Sequence, residues 1–485
     1  MPEPIKVLLA SPEVAPLAQT GGLAEMVASL PKALYSLGVS PMVIIPGYRD
    51  ALKYPGLKVV GSFKVPMANE ITPFELLVGE LAPGVPVYLT RCDRYFDRPG
   101  LYGAGREVFL DNPERFAFFC KAILACLPSL TKYPDIILAN DWHTGLLTPY
   151  LLEMGPQAPQ GIFVIHNQGY LGLAPMGAKT FIDLPESYYG LDGLEYYGQL
   201  SFLKAGLVFA REVVTVSPSY AREIQTPEGG NGLDGVLRFH SAKLRGVLNG
   251  VDYEVWNPAT DPYIAANYDA DHMEGKKKCK QALKKELSLQ SPDDAPLFGL
   301  VTRLAAQKGL TLIVESAAEL FRLGLDLVIL GTGDPWHEEQ LTALANQYPE
   351  QTRLILAYDA PQAHRIIAGS DFTLIPSIYE PCGLAQMYAL RYGTIPVVRA
   401  IGGLNDTVRD YAGQNPSGAW DNGFKFNQFL PLALFRAARR AVELYGRPAD
   451  YLAMAQAGMR DDFSWSASAK AYLGLFQSCL AQRAL

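Results

Sequence analysis

The strongest constraint on this chain is an alternation that occurs twice: short continuous apolar runs followed by segments with helical spacing of apolar residues. IKVLLA (5–10) has the character of a strand buried on both faces. Leu23, Met26, Val27, Leu30 and Leu34 then recur at helical spacing, Gly38 ends that segment, and PMVIIPGY reads as the next strand. Strand, helix, strand is the unit of a parallel sheet. PDIILAN (134–140), GIFVIHN (161–167) and EVVTVS (212–217) continue the series. The alternation restarts after residue 296 with LFGLVT, followed by LDLVILG (325–331), RLILAYD (353–359), DFTLIPS and TIPVVRA. A polar, proline-containing region from about Asn257 to Pro296 separates the two series. The pattern predicts an α/β protein of two Rossmann-like, doubly wound domains joined near Gly250 to Pro258, with AKAYLGLFQSCL as a last amphipathic helix.

At 485 residues the chain exceeds one ordinary core, and its 49 % hydrophobic and 19 % charged content is that of a globular protein. A formal charge of −7 with no long basic block argues against a nucleic-acid partner. The densest basic run, KKKCK at 276–280, leads into QALKKEL and reads as a solvated helix face. The six cysteines form no CxxC pair and no metal-spaced Cys/His cluster, which suits free thiols in a reducing cytosol. The N-terminus lacks a signal-peptide pattern, and no apolar stretch is long enough to span a bilayer. A cytoplasmic protein without a membrane partner is expected.

In open parallel sheets, ligands bind at the carboxyl ends of strands. Glu380 stands there, between the strand DFTLIPS and a helix expected to begin near Gly383. It either accepts a hydrogen bond from a ligand hydroxyl held by the same helix-start amides or only complements the helix dipole. Gly21 and Gly22 in SPEVAPLAQTGGLAEM, and Gly402 and Gly403 in IGGLNDTV, are either places of close approach to an anion or tight turns. Arg303 and Lys308 in VTRLAAQKG could neutralise a diphosphate, or lie at the surface. Asp141 and His143 in NDWHTG, with His166 and Asn167 in IHNQGY, end two further strands and favour a polar site. GTGDP lacks the third glycine of a dinucleotide fingerprint, and HEEQ lacks the second histidine of a zinc motif, so neither a nicotinamide cofactor nor a metal is assigned.

Taken in order, TGGL, FDRPGLYG, DWHTGL, IHNQGYLG, GGNGLDGVLR, LNGVDYEVWNP, TRLAAQKGL, AHRIIAGSDF, EPCGL, ALRYGTIPVVR and GGLNDTV resemble the bacterial glycogen synthases and plant starch synthases of glycosyltransferase family 5. The resemblance spans nearly the whole chain. It implies the GT-B architecture: two Rossmann-like domains facing a cleft, here 1–255 on the acceptor side and 256–460 on the donor side, with a C-terminal helix, 461–485, crossing back onto the first. It implies transfer of glucose from ADP-glucose to the non-reducing 4-hydroxyl of an α-1,4-glucan with retention of configuration, and no metal or other cofactor. By position, Glu380 corresponds to the glutamate that contacts the donor glucose, and Cys382, Gly383 and Leu384 would offer amides to its hydroxyls. Arg303 and Lys308 correspond to the pair on the diphosphate, and Tyr358 to the tyrosine against adenine. Asp141, His166 and Asn249 would line the glucose site with Gly21 and Gly22 nearby, and Tyr102 would stand near the acceptor.

Two donor-side polar contacts of the family pattern are missing. Gln19 stands where the family has a lysine on the donor, and Ala385 stands where a polar residue is usual; Glu25 replaces an aspartate with the charge kept. A lost charged phosphate contact costs about 1.5–3 kcal/mol, or roughly 10- to 150-fold in affinity. Two other readings therefore stand beside glucan synthesis: a related retaining glycosyltransferase with a different donor or acceptor, and a glucan-binding or regulatory protein without turnover.

Overall fold

The apolar runs of the first half pair edge to edge into one sheet of nine strands. The computed structural model describes residues 3–105, 107–412 and 420–481. It divides into two compact units, Met1–Gly250 with Trp465–Leu485, and Val251–Ser464. In the first, the strands are β1 (Lys6–Ala10), β2 (Ser40–Pro46), β3 (Lys58–Met67), β4 (Glu70–Ala82), β5 (Val85–Arg91), β6 (Ile136–Asn140), β7 (Gln160–Ile165), β8 (Glu212–Thr215) and β9 (Leu244–Gly246). Their order is β9-β8-β7-β6-β1-β2-β5-β4-β3. The seven strands from β9 to β5 are parallel, and β4 and β3 extend the edge antiparallel. Strand β1 is central, with Leu8 beside Met42 on one flank and Ile137 on the other. It is buried on both faces, which is why its sequence does not alternate. Helices α1 (Gly22–Ser36) and α2 (Asn112–Cys126) belong to this unit.

The second unit carries β10 (Leu297–Val301), β11 (Asp326–Leu330), β12 (Thr352–Ile355), β13 (Phe372–Ile375), β14 (Ile395–Arg399) and β15 (Phe424–Phe426). They run parallel in the order β12-β11-β10-β13-β14-β15, the 3-2-1-4-5-6 winding of a Rossmann sheet. The parallel strands of the first unit follow the same winding. In such a sheet the chain leaves the two middle strands toward opposite sides, and their diverging loops open a crevice. Those middle pairs are β1 and β6 in the first unit, and β10 and β13 in the second.

The basic run at 276–280 overturns its sequence reading in part. Helix α3 (Glu274–Glu286) does expose Lys277 and Lys278, but Lys276, Lys280 and Lys284 are buried. Spaced by four, they form one stripe, and each ammonium is satisfied inside the protein. Lys276 Nζ donates to Thr394 Oγ1 (2.7 Å) and to the Tyr392 and Ala368 carbonyls. Lys280 Nζ donates to Asp371 Oδ2 (2.6 Å), the Ala295 carbonyl and the Tyr445 hydroxyl. Lys284 Nζ lies 3.0 Å from Asp326 Oδ2. Asp371 precedes β13 and Asp326 opens β11, so the stripe bolts α3 to the amino-terminal edge of the sheet, opposite the loops that matter for function.

Helices α4 (Ala360–Gly369), α5 (Ala385–Arg391) and α6 (Gly402–Thr407) follow strands of the second unit. Helix α5 begins at Ala385, two residues later than expected, because Gly383 takes a left-handed φ of +70° that no helical turn can include. The last helix, α7 (Trp465–Ala481), returns to the first unit. Its Tyr472 and Phe476 are fully buried, it packs on α1, and Ser468 Oγ donates to the Leu248 carbonyl at 2.7 Å.

Candidate active site

Each unit gathers its polar side chains where β1 and β6, or β10 and β13, diverge. In the first unit the loop after β1 carries Glu13, a residue that sequence reasoning passed over. Its side chain is buried and accepts three hydrogen bonds: from Thr20 N (2.7 Å), from Thr20 Oγ1 (2.6 Å) and from the Tyr102 hydroxyl (2.6 Å). Glu13 thereby ties Tyr102 to the loop that presents Gly21 and Gly22. Both glycines are exposed, and Gly21 has open space where a side chain would stand. The available signal was the position of Glu13 directly after a buried strand, in the same motif as the paired glycines.

Asp141 follows β6 with φ +57° and ψ 178°, a region nearly reserved for glycine, at a cost of about 1–3 kcal/mol. The conformation turns its carboxylate back across the strand ends. Oδ1 accepts from His166 N at 2.8 Å and Asn167 N at 3.4 Å, which joins the loops after β6 and β7. Removal from water pushes the Asp141 carboxyl up to about 7, against the pull of those two amides, with the Glu13 charge adding to the rise. The same Glu13 and Asp141 charges, together with burial, raise the Tyr102 hydroxyl well above its ordinary value. Glu13, Tyr102 and Asp141 thus share one electrostatic neighbourhood.

Burial holds His166 neutral, with its pKa lowered to about 3. Its Nε2 lies 2.9 Å from Asn140 Oδ1, while Asn140 Nδ2 donates to the Ala10 and Leu138 carbonyls. The amide oxygen must then accept, so Nε2 carries the proton and Nδ1 is the acceptor of the ring. His143, also held neutral by burial, packs between the rings of Trp142 (3.9 Å) and Tyr102 (4.8 Å). It is a wall of the site and not a titrating group. Asn249 lies after β9, buried, with no hydrogen-bond partner for Oδ1. No hydrogen bond joins it to Asp141 or His166 among the described residues.

In the second unit the loops after β10 and β13 meet directly. Lys308 Nζ donates to Glu380 Oε2 at 2.7 Å, and Ser377 Oγ donates to the same oxygen at 2.8 Å. Both donors fall on Oε2, and Oε1 remains available to a ligand. The two loops are also sealed backbone to backbone: Ile378 N donates to the Gln307 carbonyl at 2.8 Å. Gly309, at φ +65°, leaves no room for a side chain, since a Cβ would stand 2.0 Å from the Pro376 carbonyl oxygen.

The paired glycines 402 and 403 prove to serve this turn. A Cβ on Gly402 would lie 1.8 Å from the Glu380 carbonyl oxygen, and Gly403 N donates to that oxygen at 3.1 Å. Gln386 closes the turn from below, donating to the Cys382 and Gly383 carbonyls at 3.1 and 2.8 Å. With those carbonyls turned inward, the Gly383 and Leu384 N–H groups have no acceptor among the described residues.

Arg303 is exposed after β10, and its guanidinium makes no hydrogen bond or ion pair among the described residues. Tyr358 presents its ring to solvent, 83 % exposed, one residue before Asp359 caps α4 by accepting from Gln362 N. The structure therefore joins Glu380 to Lys308 and places Cys382, Gly383 and Leu384 beside them. Arg303 lies on the same loop as Lys308, and Tyr358 follows β12, two strands away at the same edge of the sheet.

Comparison with known proteins supplies independent findings. Residues 6–239 match the family model described as starch synthase catalytic domain, and residues 283–449 that described as glycosyl transferases group 1. The chain is 44 % identical to a glycogen synthase of Desulfatibacillum aliphaticivorans, over 99 % of this chain and all of that one. It is 44 % identical to a glycogen synthase of Syntrophotalea carbinolica, over 98 % and 99 %. Among solved structures, the catalytic domain of starch synthase IV from Arabidopsis thaliana bound to ADP and acarbose matches with a TM-score of 0.90 at 33 % identity, covering 98 % of this chain and 99 % of that one.

Proposed function

The chain belongs to the glycogen and starch synthase family, and we propose that it lengthens an α-1,4-glucan by transferring glucose from ADP-glucose with retention of configuration. The observation that carries this reading is the Lys308–Glu380 pair at the switch point of a sheet whose flanking loops also present Arg303, Tyr358 and free amides.

The chemistry follows from what each group can do. As the bond between the anomeric carbon and the diphosphate breaks, negative charge grows on the leaving phosphate oxygen. Arg303 and Lys308 stabilise it as cations, one a planar fork and the other a point charge held in place by Glu380. Glu380, anchored through Oε2, accepts a glucose hydroxyl on Oε1 while the Gly383 and Leu384 amides donate to others. The acceptor 4-hydroxyl attacks on the same face, its proton passes to the departing diphosphate, and ADP leaves. In the first unit, the Asp141 carboxyl and His166 Nδ1 are groups that sugar hydroxyls can meet. No step calls for a metal ion.

The test is direct. Purified protein is incubated with glycogen and either ADP-[14C]glucose or UDP-[14C]glucose. Label in the glucan from ADP-glucose is the expected result. Label from UDP-glucose alone would assign a different donor. Glucan binding without label from either donor would overturn the enzymatic reading.

A further inference from the structure

Arg115 is the largest fully buried side chain of the described residues and has no carboxylate within ion-pair distance among them. It stands in the first turn of α2, beneath the loop from Asp97 to Asp111 that delivers Tyr102. Its Nε donates to the Tyr95 carbonyl at 2.8 Å. Its Nη1 donates to the Leu101 carbonyl at 3.0 Å and to Asn112 Oδ1 at 2.5 Å. Asn112 passes the restraint on, since its Nδ2 donates to the Tyr102 carbonyl at 2.9 Å. Three rings enclose the guanidinium, those of Phe96 (5.3 Å), Phe109 (5.0 Å) and Phe116 (5.6 Å). Phe116 also forms a wall of the site, 4.5 Å from His143 and 6.1 Å from Tyr102. Burial lowers the Arg115 pKa, and its Nη2 has no hydrogen-bond partner.

A side chain chosen for stability alone would not look like this. A buried cation without a counter-charge is costly, and a long apolar residue of similar volume packs at least as well. What such a residue could not do is hold the backbone carbonyl of Leu101 and, through Asn112, that of Tyr102. We infer that Arg115 is a positioning residue: it fixes the backbone on either side of Tyr102 so that the hydroxyl meets Glu13, and so sets how well the glucan acceptor is received. Arg98 supports the same loop, gripping Asp111 with two bonds of 2.7 and 2.6 Å and standing over the Phe109 ring at 5.1 Å. This inference rests on the proposed acceptor role of Tyr102.

The test is a double-mutant cycle on the full chain, with Michaelis constants for a maltooligosaccharide and for ADP-glucose measured separately. Arg115→Met is expected to raise the acceptor constant roughly tenfold and to move the ADP-glucose constant less than about twofold. In a Tyr102→Phe background the same change should move the acceptor constant less than about twofold, because the bond that Arg115 supports is already gone. Losses that multiply in the double variant, or equal shifts in both constants, would overturn the inference. A Tyr102→Phe variant with an unchanged acceptor constant would instead remove the acceptor role on which it rests. Should Arg115→Met fail to fold, Arg115→Lys keeps the charge, loses the fork, and is held to the same outcomes.

Discussion

At the residue scale, the paired carboxylate and ammonium of the second unit make the sharpest prediction. Glu380 is held by Lys308 and Ser377 in a turn that Gly402, Gly403 and Gln386 brace from behind. Glu380→Gln keeps the volume and removes the charge; kcat should fall by roughly 10²- to 10³-fold while circular dichroism stays native. Unchanged turnover would remove Glu380 from the chemistry. Asp141 makes a prediction about pH. Its carboxyl titrates near 7 in the folded chain against an ordinary value of 3.8, so between those values the folded state holds a proton that the unfolded state releases. The stabilising contribution is full below about pH 4 and is lost as the pH rises through 7. Urea melts of the parent should lose stability across that window relative to Asp141→Asn, and parallel profiles would refute the raised value. The loop that leads to Gly21 supplies a third prediction. Gln19→Lys should lower the ADP-glucose Michaelis constant by roughly tenfold if that loop still faces phosphate, and a rise would show that it has been repurposed. The place of Glu380 between a buried strand and a helix start was legible in the sequence, but its bonds to Lys308 and Ser377 were not. Nor was Glu13, because only folding reveals that three donors converge on it from Thr20 and Tyr102.

At the scale of elements, the strands were the legible part. β1, β10 and β13 are short, apolar on both faces and bounded by polar turns, and no other arrangement hides such runs. Strand order was not written in any one segment; it emerges from right-handed crossovers that must cover both faces of each sheet. Helix α3 shows where pattern reading fails. A lysine spaced by four is a solvated stripe by default, and only tertiary partners, among them Asp371, Asp326 and four backbone carbonyls, turn it inward. The expected consequence is large. Lys280→Ala leaves Asp371 buried without its cation and should destabilise the second unit by about 3–5 kcal/mol, whereas Lys278→Ala on the exposed face should stay within about 0.5 kcal/mol. Denaturant melts of the two variants decide this, and equal small effects would mean that the stripe is not a bolt.

For the whole molecule, the chain path is the informative feature. Residues 251–464 form the second unit, and the chain then returns so that α7 completes the first. The apolar pattern alone revealed that last helix as amphipathic without naming its partner, since an apolar face carries no address; only the family resemblance implied a return onto the first domain. In the structure α7 places Trp465, Tyr472, Phe476 and Cys479 against the first unit, all buried, with α1 as a principal neighbour. At about 1.5–3 kcal/mol for each large apolar side chain, the loss of this helix removes several kcal/mol from a domain whose total stability is of order 5–15 kcal/mol. A chain ending at Ser464 should therefore lose protection in the first unit selectively. Hydrogen exchange is expected to rise at least about tenfold in α1, on which α7 packs, while β10, β11 and β13 keep their parent rates. If those strands of the second unit also lost protection, the unit formed by residues 251–464 would depend on α7 as well. If α1 kept its protection, the returning helix would be dispensable, and the first unit would owe its stability to the nine-stranded sheet alone.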